Sequence, residues 1–167
     1  MSDFDIGYKA VVGVEGGYQS AEEAAKKKDP GGETNMGISK KQYPDEDIKN
    51  MTVARSMFLY KRDYWDVCKC DQLPFPLNVF VFDSAVNQGC DKKANFAAQK
   101  LLQKTLNLAM DGIIGLQTIQ KAQGANTETC ALYMADRALR YTGTRHFDVD
   151  GRGWFKRLFL IAMEVHK

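Results

Sequence analysis

Phe4, Tyr8, Val11 and Val12 fall at i, i+4, i+7 and i+8, which predicts an amphipathic helix over residues 3–15. Gly16 and Gly17 end it in the usual C-terminal manner. From Tyr18 to Pro44 the apolar rhythm gives way to polar, Gly-rich chain, read as a long loop or small sheet. Within it Asp29-Pro30-Gly31-Gly32 places Pro and Gly where a type II turn wants them. A long irregular segment in a small domain is usually functional or disordered, and the Thr, Asn and aromatic content here favours an ordered functional loop. Thr52 then suits an N-cap for a helix through about Trp65, with Val53, Met57, Tyr60 and Tyr64 on one face.

The hinge-like Leu73-Pro-Phe-Pro-Leu-Asn is the best boundary between two lobes, an N-terminal one over residues 1–72 and a helical one over 73–167, packed as one unit. The apolar run from Leu77 to Phe82 fits a buried strand or a buried helix by pattern. Helix is favoured, because Pro76 suits a first-turn position and Ala85 and Val86 continue the run to Gly89. Asp91 caps a further helix to about Asn107, and Asp111-Gly112 marks a turn before a short helix over Leu116–Gln123. Thr127 caps a helix to about Tyr141, and Trp154, Leu158, Ile161 and Val165 stripe the last one. The chain therefore reads as mainly α, with six or seven helices and a small loop or β region after the first.

Composition narrows the classes. A 167-residue chain that is 44% hydrophobic and 26% charged is an ordinary globular balance. The longest apolar run is the six residues Leu158 to Met163, against roughly 20 for a spanning helix, so no membrane insertion is expected. Met-Ser-Asp-Phe-Asp lacks the basic start and apolar stretch of a secretory signal, so synthesis in the cytoplasm is expected. The net charge of +2 is too small to suggest a nucleic-acid partner by itself. It is uneven, with −2 over residues 1–66 and +4 over 67–167. Arg137, Arg140, Arg145, Arg152, Lys156 and Arg157 form a basic stretch that either attracts an anionic polymer or is a solvated helix face. With no heptad or surplus apolar stripe, a monomer is expected.

Cys68-x-Cys70 has no second pair at zinc-ribbon spacing, and neither His146 nor His166 has a Cys or His ligand neighbour three to five residues away. No metal site is expected, and reduced, partly buried thiols are the default for Cys68, Cys70, Cys90 and Cys130. A Cys-dependent peptidase or amidase pairing Cys90 or Cys130 with His146 finds no support in the residues around them.

The richest chemistry lies in Glu15-Gly-Gly-Tyr18 and Asp29 to Ile38. Glu15 ends the first helix, where the backbone dipole disfavours a carboxylate by roughly 0.3–1 kcal/mol. That direction suits a group that must stay protonated to donate a proton, with burial supplying the rest. The plainer alternative is one exposed helix-end residue among many. Asp29 supplies a second carboxylate on a tight turn, and Thr34 can orient a water or bond a sugar. Paired carboxylates, one protonated and one ionised, are what cleavage of a glycosidic bond requires.

Helix-Glu15-Gly16-Gly17-Tyr18 followed by Asp29-Pro30-Gly31-Gly32-x-Thr34-Asn35-x-Gly37-Ile38 closely resembles glycoside hydrolase family 108, the bacterial and phage N-acetylmuramidases. The second half resembles the peptidoglycan-binding domain that accompanies it, through Phe82-Asp83-Ser84-Ala85-Val86-Asn87-Gln88-Gly89, Leu101-Leu102-Gln103, Asp111 to Thr118 and Gly153-Trp154-x-x-Arg157. Phage-type lysozymes are a more distant likeness, with Glu, Asp and Thr in the same order. The spacing from Glu15 to Asp29 is longer by an insertion holding Glu22, Glu23 and Lys26 to Lys28.

The resemblance implies a lysozyme-like two-lobed fold and cleavage, without cofactor, of the β-1,4 bond between N-acetylmuramic acid and N-acetylglucosamine in cell-wall peptidoglycan. Glu15 would be general acid, Asp29 the second carboxylate or water-holder, and Thr34 an assistant. The expected setting is a phage endolysin released through holin holes, or an effector delivered by a secretion machine. A lytic transglycosylase and a non-catalytic wall-binding module are the alternatives. Tyr18, Asn35, Tyr43 and Asn87 suit a sugar groove, each with a core or turn role as its alternative. Asp83, a carboxylate in an apolar run, reads as an internal cap or pair, with a second catalytic carboxylate as the alternative. Trp65 and Trp154 read as core.

Overall fold

The computed structural model describes residues 1–14, 17–27 and 31–166. Among them eight α-helices and one two-stranded hairpin follow in the order α1 (Asp3–Val14), α2 (Ala21–Lys27), β1 (Thr34–Asn35), β2 (Ile38–Ser39), α3 (Val53–Tyr60), α4 (Leu77–Gln88), α5 (Ala97–Thr105), α6 (Leu116–Ala122), α7 (Thr127–Thr142) and α8 (Phe147–Glu164). None of the described helices is long and apolar enough to cross a membrane.

The hub is α4. All nine residues from Leu77 to Ala85 are buried, since α1, α5, α7 and α8 pack around it. A helix enclosed on every side is apolar all round, which is why its sequence carries no stripe and imitates a strand. Pro76 stands at its N-cap, one position before the first turn in which it was expected. On one side Phe4, Trp65 and Phe82 meet in edge-on contacts, with ring centroids 5.3 Å apart for Phe4–Trp65 and 5.4 Å for Trp65–Phe82. Gly7 lets α1 approach this cluster, because a Cβ there would stand 3.1 Å from Phe82 Cδ1. Leu73 and Leu77, which flank the hinge-like prolines, both belong to the same continuous core as Phe4 and Val165.

Local chemistry sets the helix ends. Thr52 caps α3 as expected, its side chain accepting from the Arg55 N–H, and a π-helical turn over Lys61–Trp65 continues it. Ser20 and Glu23 form a reciprocal capping box for α2, with Ser20 N–H to Glu23 Oε2 at 2.9 Å and Glu23 N–H to Ser20 Oγ at 3.3 Å. The polar stretch after residue 18 thus holds a helix as well as the hairpin, and α2 occupies the insertion that lengthens the spacing between Glu15 and Asp29.

Two expected caps are displaced. Asp91 accepts from the Ala94 N–H but closes only a turn, and the positive φ values of Asn95 and Phe96 (both 54°) delay α5 to Ala97. Asn126, not Thr127, caps α7, in a capping box with Thr129.

Gly89 ends α4 with φ +90°, and a Cβ there would lie 2.2 Å from Ala94 Cβ. Gly89→Ala therefore meets both backbone strain and a clash in the turn that leads to α5. It is expected to cost at least about 1–3 kcal/mol, read as a lower midpoint in urea unfolding with an unchanged slope.

Candidate active site

The hairpin is built on a two-residue turn, Met36-Gly37, in which both residues have positive φ (49° and 75°). Gln19 joins it through an isolated antiparallel bridge, exchanging backbone hydrogen bonds with Thr34 at 2.8 and 2.9 Å. Tyr60 from α3 donates its hydroxyl to the Met36 carbonyl at 3.1 Å and holds the turn against the core. Thr34 Oγ1 donates to the Gly32 carbonyl at 3.0 Å, and Tyr18 donates to Glu33 Oε1 at 2.8 Å from a largely exposed position. Tyr18 and Glu33 are therefore held together beside the hairpin. Asn35 is buried, and its amide donates to the Ile48 carbonyl at 3.1 Å, so it ties the following loop to the hairpin. Glu15 and Asp29 lie outside the described residues.

Beyond the hairpin the chain turns directly into a polar cleft of about 580 Å³. One wall carries Gln42, Tyr43, Asp63 and Tyr64; the other is the end of α4 and the turn after it, with Asn87, Gln88, Gly89 and Asp91. Two of the expected groove residues, Tyr43 and Asn87, thus face one space. Tyr43 donates to Asp63 Oδ2 at 2.8 Å, and Gln42 donates its amide to the Tyr64 hydroxyl at 2.5 Å. Burial first, then the neighbouring Tyr64 and the Asp63 carboxylate, raise the Tyr43 phenol well above its ordinary range, so it remains a donor. Burial alone would raise the Asp63 carboxyl, but hydrogen bonds from Arg62 and Tyr43 outweigh it and hold Asp63 below the usual carboxylate range. The cleft wall therefore presents an ionised carboxylate at neutral pH.

Asp63, Tyr64 and Gln42 carry no separate mark in the sequence. Asp63 and Tyr64 lie in what reads as the continuation of α3, and only the widened π-helical turn sets them on the cleft.

Asp83 is fully buried and pairs internally. Its Oδ2 accepts from Arg137 Nη2 at 2.6 Å and its Oδ1 from Arg157 Nε at 2.8 Å. This corrects the reading of the basic stretch, since Arg137 and Arg157 are buried in the fold and only Arg140, Arg145, Arg152 and Lys156 remain at the surface. Trp65 is core, and half-buried Trp154 stacks on Tyr141 with centroids 5.0 Å apart. The four cysteines are free and buried. The hydrogen bond to Cys90 and burial push the Cys68 thiol up, and burial does the same for Cys70 and Cys130.

A helical core around one buried helix, with a short hairpin after the first two helices and a polar cleft beside it, is the mainly α, lysozyme-like arrangement. Residues 8–89 match the family described as Glycosyl hydrolase 108. At family level the match supports a glycoside hydrolase of the peptidoglycan-cleaving kind. The matched segment runs from α1 through the hairpin to the end of α4 and so includes Tyr43, Asp63 and Asn87. The solved structure of Brucella abortus SagA is similar over 98% of this chain and 94% of its own, with 25% sequence identity and a TM-score of 0.78. No curated protein matches the chain.

Proposed function

We propose that the protein is an N-acetylmuramidase that hydrolyses the β-1,4 bond between N-acetylmuramic acid and N-acetylglucosamine. The observation that carries this reading is the family match over residues 8–89, which spans Glu15, Asp29 and Thr34 in the order a muramidase needs. Glu15 is the general acid that protonates the leaving glycosidic oxygen. It is the next residue in the chain after Val14, where α1 ends. Asp29 is the second carboxylate or water-holder, and Thr34 assists it. Tyr18, Tyr43 and Asn87 bind the glycan, whose hydroxyl and acetamido groups suit the phenol and amide groups of a polar cleft. Asn35 supports this groove from behind through its bond to Ile48.

No cofactor takes part in these steps. Residues 73–167 contribute to wall binding, and the protein acts as a monomer. Its setting is a phage endolysin released through holin holes, or a delivered effector, acting on the wall after synthesis in the cytoplasm.

Purified peptidoglycan digested by the protein and then reduced with borohydride tests the bond assignment. Soluble fragments ending in muramitol are expected. Glucosaminitol ends would place the cut on the other side of the amino sugar, and released peptides without new reducing ends would make the protein an amidase or peptidase. Binding without any release would make it a wall-binding module.

A further inference from the structure

The buried Asp83 begins a chain of hydrogen bonds that ends at the cleft. Arg137 Nη2 donates to Asp83 Oδ2 at 2.6 Å and to the Tyr141 hydroxyl oxygen at 3.5 Å. The Tyr141 hydroxyl donates in turn to Asn87 Oδ1. Asn87 lies one helical turn beyond Asp83 on α4, exposed on the cleft wall.

Chemistry fixes the direction of each bond. A guanidinium has donors only, so the Tyr141 oxygen accepts from Arg137 and its proton is free to point at Asn87. An amide that takes this proton must turn its carbonyl oxygen inward. Its two N–H donors then face the cleft. The stack of Trp154 on the Tyr141 ring and the full burial of Arg137 keep the donor in place. The neighbouring Gln88 is held to α7 by a 3.4 Å bond from its amide to the Arg137 carbonyl, and the Gln42 amide across the cleft is given to Tyr64, which leaves Asn87 as the amide on offer.

We propose that Tyr141 is a positioning residue that locks the Asn87 amide with its N–H donors toward the cleft, where they take the acetamido carbonyl of an N-acetylated sugar. The inference rests on the muramidase reading and deepens it by naming a specificity contact. A sugar hydroxyl both donates and accepts, so either face of an amide would serve it. Locking the donor face outward selects a group that can only accept. Carbonyls and carboxylates qualify, and Asp63 and Asp91 on the same cleft disfavour an anion. On a glycan strand without its peptides, the neutral acetamido group is what remains.

The test is steady-state hydrolysis of soluble, peptide-stripped glycan strands, fully N-acetylated or chemically de-N-acetylated, by wild type, Tyr141→Phe and Asn87→Asp. Tyr141→Phe frees the amide to turn and is expected to raise KM on acetylated strands by roughly 3- to 10-fold, the worth of one neutral hydrogen bond. Its kcat stays within about 2-fold, as befits a contact made equally in ground and transition states. Asn87→Asp keeps an oxygen for Tyr141 but removes the donors, and because Asn87 is exposed it also serves if Tyr141→Phe folds poorly. Its KM rises at least as much.

Both variants are expected to narrow the wild-type preference for acetylated over de-N-acetylated strands. Unchanged KM values, or equal losses on the two substrates, would overturn the positioning role while leaving the muramidase reading intact. A wild type that generates no new reducing ends on either substrate would overturn that reading and this one together.

Discussion

Replacing Glu15 by Gln is expected to lower the rate of peptidoglycan hydrolysis by about 10²–10⁴-fold, the usual contribution of a positioned general acid. Gln keeps the shape and the hydrogen-bonding capacity of Glu but cannot deliver a proton to the leaving oxygen. The fold should not suffer. Glu15 directly follows α1, a helix with no basic residue in its last turn, so a neutral side chain removes charge from the negative end of the helix dipole. Stability is expected to stay the same or rise by up to about 1 kcal/mol. Turnover by purified Glu15→Gln, measured beside its thermal unfolding, separates the two effects. Retention of more than about a tenth of wild-type turnover, below the range expected of a general acid, would remove Glu15 from the acid role.

The second large effect is structural. Asp83→Ala leaves Arg137 and Arg157, both buried, facing each other with their shared carboxylate gone. Removing one partner from a buried ion pair costs about 3–5 kcal/mol, because the uncompensated charge keeps its desolvation penalty. For a domain of this size each kcal/mol moves Tm by roughly 2–4 °C, so a drop of about 6–20 °C is expected. The triad joins α4 to α7 and α8, the helices that enclose the second half of the chain. The cost is therefore global rather than confined to the cleft. A Tm within about 2 °C of wild type, less than 1 kcal/mol on that scale, would mean that the arginines find other partners and that the triad is not a fold determinant.

How much of this was legible in the chain depends on which interactions are local. Helices α1, α3 and α8 announce themselves because one face of each meets the core and the others do not, which writes a period of 3.6 into the sequence. Helix α4 is legible only as an apolar run, since burial on every side erases the stripe. Helix α2 escaped the pattern because Ala24 is the only one of its described residues that is buried, although Ser20 and Glu23 carry the spacing of a capping box. The late start of α5 turns on the left-handed backbone of Asn95 and Phe96, which neither residue type advertises.

The candidate site divides along the same line. Tyr43 and Asn87 meet at one cleft although 44 positions separate them, and their polar, sugar-compatible chemistry was readable residue by residue. Asp63 was not, because its side chain is turned to the cleft by a π-helical turn inside an otherwise ordinary helical pattern. The partners of Asp83 stand 54 and 74 residues away, so its internal pairing was readable only as the general fate of a carboxylate in an apolar run. Asn35 shows the reverse, since an amide suited to bind sugar is spent on the Ile48 carbonyl.

Digestion of peptidoglycan in water enriched in ¹⁸O, followed by mass spectrometry of the released disaccharide-peptides, tests the central claim most directly. Hydrolysis between N-acetylmuramic acid and N-acetylglucosamine predicts one ¹⁸O per cut, carried at the reducing carbon of muramic acid. Anhydro-muramic ends without the label would contradict it and make the protein a lytic transglycosylase.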